Sequence, residues 1–384
     1  MDELAPFESR FIVPFRWDIF WQKQKVIAQQ NGLFSPLPAM GFHLTIWLFN
    51  QMGWLLDGVL PNSKATPTLA ESVFIVGHQR SGTTYLHRLL AQNEWAHSLN
   101  LHEMLLPASS IQRTISAIAK LDRGVGAPLR KIFAKAQQRA FGNMDHIHRL
   151  RFDEPEEDEI VMWALYASDM CIFDNPTLIE TGPKGMPEPF ARWTREQQMS
   201  ALVWYRRCVQ KKLQRMGNGI YLGKNPRFST VLPLLNRVFP NCKVIVLMRN
   251  PIETIVSRMS LLQSLWRHRN PNFGDISPNH VKWILQNSIS VYQQTEQGLR
   301  DIPADRKMIV GYNELKSSPQ KTLKKITEHL DFPSISTTLM NELNKTEEHP
   351  YHSKHLYDVQ QFGITEDEIQ GPLSIIFEKY QHLF

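Results

Sequence analysis

The stretch VFIVGHQRSGTTYLHRLL, residues 73 to 90, sets Arg80, Ser81, Gly82, Thr83 and Thr84 between an apolar run and the start of a helical pattern. A loop of this kind at a helix N-terminus binds anions, because its backbone N–H groups and the helix dipole converge on one point. Gly77 and Gly82 have the G-x-x-x-x-G spacing of an NTP-binding loop, but Thr83 stands where such a loop has its lysine. The cation is instead Arg80. A second cation, Arg249, closes the run KVIVLM, and Ser257 follows eight residues later, beyond Asn250 and Pro251. Pro251 suits a first helical turn, which puts Ser257 inside the next helix, where its hydroxyl can share a phosphate with the arginine. Loop and pair make two anion subsites, which a ligand phosphorylated at two positions satisfies together. Arg249 and Asn250 also stand where a magnesium-dependent NTPase places an acid, so transfer without a metal is expected.

Four runs read as strands followed by helical segments: SVFIVG at 72, HSLNL at 97, GIYLG at 219 and KVIVLM at 243. Strands alternating with helices predict an α/β fold, a parallel sheet with helices on both faces. Ligands of such sheets bind beyond the carboxyl ends of the strands. Arg80, Glu103, Lys224 and Arg249 each follow one of the four runs. Singly, each has a structural explanation, a surface residue before a turn or, for Glu103, a helix cap. Four together around an anion loop favour a site. Residues 105 to 216 form a long, mainly helical insertion, and PNSKATPT, 61 to 68, reads as a linker between an aromatic N-terminal segment, 1–68, and a main domain, 69–384. The acidic run DEPEEDE, 153 to 159, is either a metal cluster or a helix start with Pro155 in its first turn, and the helix start is favoured.

Composition bounds the remaining classes. Hydrophobic content of 42% and charged content of 21% are those of a globular chain. The 43 Lys and Arg against 37 Asp and Glu give a net charge of +6 without a long basic run, which favours small anionic ligands over nucleic acid. Cys171, Cys208 and Cys242 lack disulfide or zinc spacing and suit a reducing, cytoplasmic compartment. Acidic and interrupted, MDELAPFESRF is not a secretory leader. The segment FHLTIWLFNQMGWLL from Phe42 has the composition of a helix at a membrane surface, but its polar face lacks cations, so a helix packed on the domain is preferred.

These motifs carry a resemblance. FIVGHQRSGTTYLHRLL resembles the 5′-phosphosulfate loop of sulfotransferases that use 3′-phosphoadenosine 5′-phosphosulfate (PAPS), and VIVLMRNPIETIVSRM resembles their 3′-phosphate motif. GKNPRFSTVLPLLNRVFPNC resembles the stretch that links them, and the likeness covers about residues 70 to 265. It implies a fold like that of P-loop nucleoside kinases and transfer of a sulfuryl group from PAPS to an acceptor hydroxyl or amine, leaving 3′,5′-adenosine bisphosphate. It also implies that Arg80, Ser81, Gly82, Thr83 and Thr84 hold the 5′-phosphosulfate and that Arg249 and Ser257 hold the 3′-phosphate. Many relatives have Pro-Lys where this chain has Gln79-Arg80; in the tyrosylprotein sulfotransferases an arginine stands at the position of Arg80. The catalytic histidine of the cytosolic steroid and phenol enzymes is replaced here by Pro226. The resemblance then implies Glu103 as general base, His102 being its rival, and Lys224 as the group that neutralises the leaving oxygen. The family's late nucleotide-closing loop is missing its usual residues; Lys354 and His355 are substitutes or surface caps. His78, His146 and His148 are expected to be structural. Trp163, Tyr166 and Phe173 are expected to help line an apolar acceptor pocket for a lipid or other hydrophobic alcohol. PEEDE, at residues 155 to 159, is similar to helices of bacterial lipid sulfotransferases. The competing classes are a P-loop kinase, which needs the missing lysine and acid, and a nucleotide-binding module without turnover.

Overall fold

The computed structural model describes residues 14–59, 69, 72–141, 150–168, 170, 176–180, 190, 193–217, 219–270, 273–347 and 358–384. Cys171, Phe173, His146, His148, Lys354, His355 and the 61–68 stretch lie outside the described residues. From the N-terminus, α1 (Trp17–Asn31) and α2 (Leu37–Val59) precede β1 (Ser72–Gly77) and α3 (Thr83–Leu90). The short β2 (Ala96–His97) is followed by α4 (Leu101–Leu105), α5 (Ser109–Gly124), α6 (Pro128–Phe141), α7 (Glu159–Trp163), α8 (Thr177–Glu180) and α9 (Arg195–Met216). Next come β3 (Ile220–Lys224), α10 (Leu232–Val238), β4 (Lys243–Met248), α11 (Pro251–Arg269), α12 (Pro278–Leu299) and β5 (Lys307–Gly311). Further helices begin with α13 (Tyr312–Ser317) and α14 (Pro319–His329). Contacts cluster into two units, one of residues 1–68, 99–171 and 194–218 and one of residues 69–98, 172–193 and 219–384.

The second unit is built on a five-stranded parallel sheet of order β2-β3-β1-β4-β5. β1 lies at its centre, with Phe74 opposite Gly223 on β3 and Val244 on β4. Every residue of β1 is buried, as expected of an unbroken apolar strand covered on both faces. On one face Val73, Ile75, Leu222 and Ile245 pack with Leu86 and Leu90 of α3 and with Leu323 and Ile326 of α14. On the other, the Phe74 ring meets Phe228 and Phe239 edge-on.

The structure departs from the sequence expectation in three places. Of HSLNL only His97 joins the parallel sheet, within the two-residue β2, because Asn100 begins a capping box with Glu103 and turns the chain into α4. A fifth strand, β5, joins the sheet edge; its first three residues are half-exposed, so its apolar signal is weak. Pro155 is not in a helical first turn. It forms an antiparallel bridge with Asn100, and Leu101 N–H donates to Glu154 O at 3.1 Å, so the helix α7 starts only at Glu159.

In the first unit α2 buries His43, Ile46, Asn50, Gly53, Trp54 and Asp57, a helical stripe. Gly53 permits close packing on α5, since a Cβ there would lie 2.5 Å from Cβ of Ala108, its N-cap, and 2.7 Å from Ile111 Cδ1. The Asp57 carboxylate accepts from the Ser109 and Ser110 N–H groups at 2.9 and 2.7 Å and from Lys211 at 2.9 Å. It thus caps α5 and ties α2 to α9. Tyr166 is sealed against Phe15, Phe20 and His43, with its hydroxyl accepting from Gln24 at 2.9 Å. It is a core residue and not a pocket wall. The Cys208 and Cys242 thiols are buried, and burial pushes the latter up to about 12.

Burial alone would raise the pKa of Asp57, but the Lys211 bond and the two N–H donors outweigh it and hold the group below its ordinary value. Its stabilising contribution is therefore complete above the usual carboxylate pKa of about 3.9 and is lost as pH falls through the lower folded value. Asp57→Asn is expected to lower stability by about 3 kcal/mol at neutral pH, read as a fall in the urea midpoint, with the difference from wild type vanishing in acid.

Candidate active site

The carboxyl end of β1 is shaped by three residues with positive φ. Gly77, at φ 133°, has no room for a side chain, since a Cβ would lie 2.4 Å from Leu247 O. Its N–H donates to Ser229 Oγ at 2.8 Å, and that hydroxyl donates back to Gly77 O at 3.2 Å. Beneath the loop the His78 ring stacks on Tyr292 at 5.0 Å and 9°. Burial, with the charge of Arg258, pushes His78 down to about 3, so it is a neutral packing element. Arg80 then adopts φ 72°, a conformation that costs a residue with a side chain about 1–2 kcal/mol.

Three interactions hold it there. Arg249 donates from a guanidinium nitrogen to Arg80 O at 3.1 Å, and Arg80 Nε donates to Ser257 Oγ at 3.1 Å. Ser81 N–H closes the turn onto His78 O at 3.1 Å. Gly82, at φ 96°, then starts α3, whose first N–H groups have no acceptor within the helix. Arg249 is itself fixed by Glu253 at 2.8 Å and by the face of Tyr312, 4.2 Å from the ring centroid. Asn250 caps α11 on Ile252 N–H at 2.9 Å, as expected of a strand-to-helix turn with Pro251 at the start. Lys224, the last residue of β3 and only 1% exposed, donates to Thr84 Oγ1 at 3.0 Å. The structure therefore brings Arg80, Thr84, Lys224, Arg249 and Ser257 into one edge of the sheet, with Ser81, Gly82 and Thr83 forming the loop between them.

The set has the chemistry of an anion site. Ser81 Oγ is buried with no hydrogen-bond partner among the described residues, on a loop flanked by cations. Among those residues no group of three or more His, Cys, Asp or Glu is arranged to hold a metal ion.

Glu103 sits in the other unit. Its Oε2 accepts from Lys212 at 2.7 Å and from Asn100 N–H at 3.0 Å, and its Oε1 accepts from Arg215 at 2.6 Å. Against the upward push of burial, Lys212, the Asn100 N–H and Arg215 hold its pKa below the ordinary value. His102 Nδ1 is 2.7 Å from Phe152 O. Sequence reasoning missed Tyr312, Tyr292 and Ser229. Tyr312 directly follows β5, so recognising that strand would have flagged it; Tyr292, in mid-helix, carries no local signal.

The sulfotransferase family profile matches residues 72–336, and the chain belongs to that family. It is 27% identical over 267 residues to the omega-hydroxy-beta-dihydromenaquinone-9 sulfotransferases Stf3 of Mycobacterium bovis and Mycobacterium tuberculosis. That match spans 67% of this chain and 62% of those relatives. Its fold is that of the crystal structures of sulfotransferase STF9 from Mycobacterium avium and STF1 from Mycobacterium tuberculosis. The TM-scores are 0.68 and 0.67, at 18% and 16% identity. The first comparison covers 88% of this chain and 83% of the other, the second 97% and 98%. The fold is thus the P-loop-kinase-like α/β architecture expected from the sequence.

A Cβ on Gly82 would lie 2.7 Å from the Tyr312 ring. Gly82→Ala is expected to destabilise the chain by about 2–3 kcal/mol, combining this clash with left-handed strain. In a Tyr312→Ala background only about 1 kcal/mol of that penalty should remain; an undiminished penalty in the double-mutant cycle would show that the ring is not the obstacle.

Proposed function

We propose that the chain transfers the sulfuryl group of PAPS to the hydroxyl of a hydrophobic alcohol. The observation that carries this reading is the placement of Arg80 between Arg249, Ser257 and the β1–α3 loop, in a member of the sulfotransferase family. Residues Arg80 to Thr84 bind the 5′-phosphosulfate through loop N–H groups, the Ser81 hydroxyl and the Arg80 guanidinium, whereas Arg249 and Ser257 bind the 3′-phosphate. The acceptor oxygen attacks sulfur in line. The new O–S bond forms as the bond from sulfur to the 5′-phosphate oxygen breaks, and 3′,5′-adenosine bisphosphate leaves. Lys224 neutralises the charge growing on that oxygen.

Glu103 takes the acceptor proton. Lys212 and Arg215 keep it ionised over the working pH range, so it is always in the basic form, at the expense of proton affinity. Such a base suits a reaction in which the hydroxyl becomes strongly acidic only as its oxygen bonds sulfur. A lipid acceptor is supported by the menaquinone derivative in the names of the curated relatives. Retention on the cytoplasmic side of a membrane fits that choice.

Incubation of the chain with labelled PAPS and, separately, long-chain alcohols, sugars and peptides tests the acceptor class. Label in the alcohol product supports the reading, and transfer to sugars or peptides alone contradicts it. Glu103→Gln is expected to cut kcat by about 100-fold or more with nucleotide Kd unchanged, and also to lower the melting temperature because Lys212 and Arg215 lose their buried partner, so kcat is compared well below that temperature. The wild-type profile of kcat/KM should stay flat on its acid side down to about pH 5, because the folded carboxyl titrates below its usual range. An acid limb well above the usual carboxylate range would take the proton away from Glu103.

A further inference from the structure

We propose that the α5–α6 hairpin of the first unit docks this protein on an anionic lipid surface. Much of its apolar surface faces solvent, although the Phe133 ring also touches Phe152 at 5.0 Å. Ile118, Leu121 and Val125 of the α5 stripe are 49%, 73% and 74% exposed, and Leu129, Ile132 and Phe133 of α6 are 54%, 65% and 52% exposed. Each trio recurs at helical spacing and so occupies one side of its helix. A soluble chain gains nothing from this much apolar surface in water, and such patches mark interaction sites.

Charge identifies the occupant. α6 carries Arg130, Lys131, Lys135 and Arg139, and the end of α5 carries Lys120 and Arg123, all of them exposed. The one acid in that stretch, Asp122, is buried and turned inward, accepting from the Leu129 and Arg130 N–H groups at 2.8 and 2.9 Å to cap α6. The hairpin therefore combines an exposed apolar side with exposed cations around it, the pattern of a helix that lies in the headgroup region of anionic lipid. A protein partner with an acidic apolar groove would need comparable complementarity, but nothing in the pattern selects a single register for one.

The hairpin also resolves the expectation for α2. That helix exposes Leu48, Met52, Leu55 and Val59, yet it lacks cations of its own. It packs against α5 through Gly53 and Asp57, so the cations missing from α2 stand on the neighbouring hairpin. No described helix is long and apolar enough to cross a membrane, so the contact is with the surface.

The test is flotation of the full chain with vesicles of phosphatidylcholine alone and of phosphatidylcholine mixed with phosphatidylglycerol, without PAPS or acceptor. Binding read this way is independent of sulfuryl transfer. Wild type should float with the mixed vesicles and release in high salt. Arg130→Glu/Lys131→Glu/Lys135→Glu should weaken binding at least about 100-fold, at roughly fivefold per cation. Leu129→Ser/Ile132→Ser should also release the chain, and both variants should keep the wild-type melting temperature because they change only exposed side chains. The proposal is overturned by equal flotation with both vesicle types, by no flotation, or by wild-type binding in the charge-reversed variant. It is equally overturned if wild type is a dimer that Leu129→Ser/Ile132→Ser splits, since the face would then be a contact between two copies.

Discussion

The candidate site depends on one strained residue. Arg80 occupies a left-handed conformation that its side chain disfavours, and it stays there because Arg249 holds its carbonyl while Ser257 holds its guanidinium. The loop following β1 and the helix following β4 are thereby locked in one relative position before any ligand arrives. Glu253 and the Tyr312 ring fix Arg249 from two further directions. The buried His78–Tyr292 stack and the Ser229 clamp on Gly77 support the loop from below. Preorganisation of this kind lets cations and N–H groups meet developing negative charge without rearranging first.

The helical unit follows a different rule. Two of its buried carboxylates are matched by cations and N–H groups: Asp57 by Lys211 and two helix N–H groups, Glu103 by Lys212, Arg215 and a third N–H. Paired burial of this sort fixes which helices meet more than it adds stability. As the proposed base, Glu103 would have two duties that pull against each other: its partners keep it ionised, yet they occupy both of its oxygens, so accepting a proton would loosen one of those contacts.

Much of the second unit was legible because its signals are local. Four strand runs, Pro251 at a helix start and Ser257 within that helix all follow from spacing, and the structure reproduces them with β2 shortened. The failures were of contact across sequence distance. β5 is an edge strand with too little buried surface to stand out, and with it went Tyr312. Pro155 pairs with Asn100, which no pattern around residue 155 could reveal. The ion pairs of Glu103 likewise come from a helix more than 100 residues away, at separations of 109 and 112. Tyr166 looked like a pocket aromatic by type alone, whereas its neighbours make it core.

The central claim is that a doubly phosphorylated adenine nucleotide is gripped at both ends, its 3′-phosphate by Arg249 and Ser257. Calorimetric titration of 3′,5′-adenosine bisphosphate and adenosine 5′-monophosphate into wild type and Arg249→Ala/Ser257→Ala addresses it directly. The account predicts that loss of the 3′-phosphate weakens binding to wild type by about tenfold or more, as expected for charge-assisted hydrogen bonds, and leaves binding to the variant nearly unchanged. The same penalty in both proteins would contradict it.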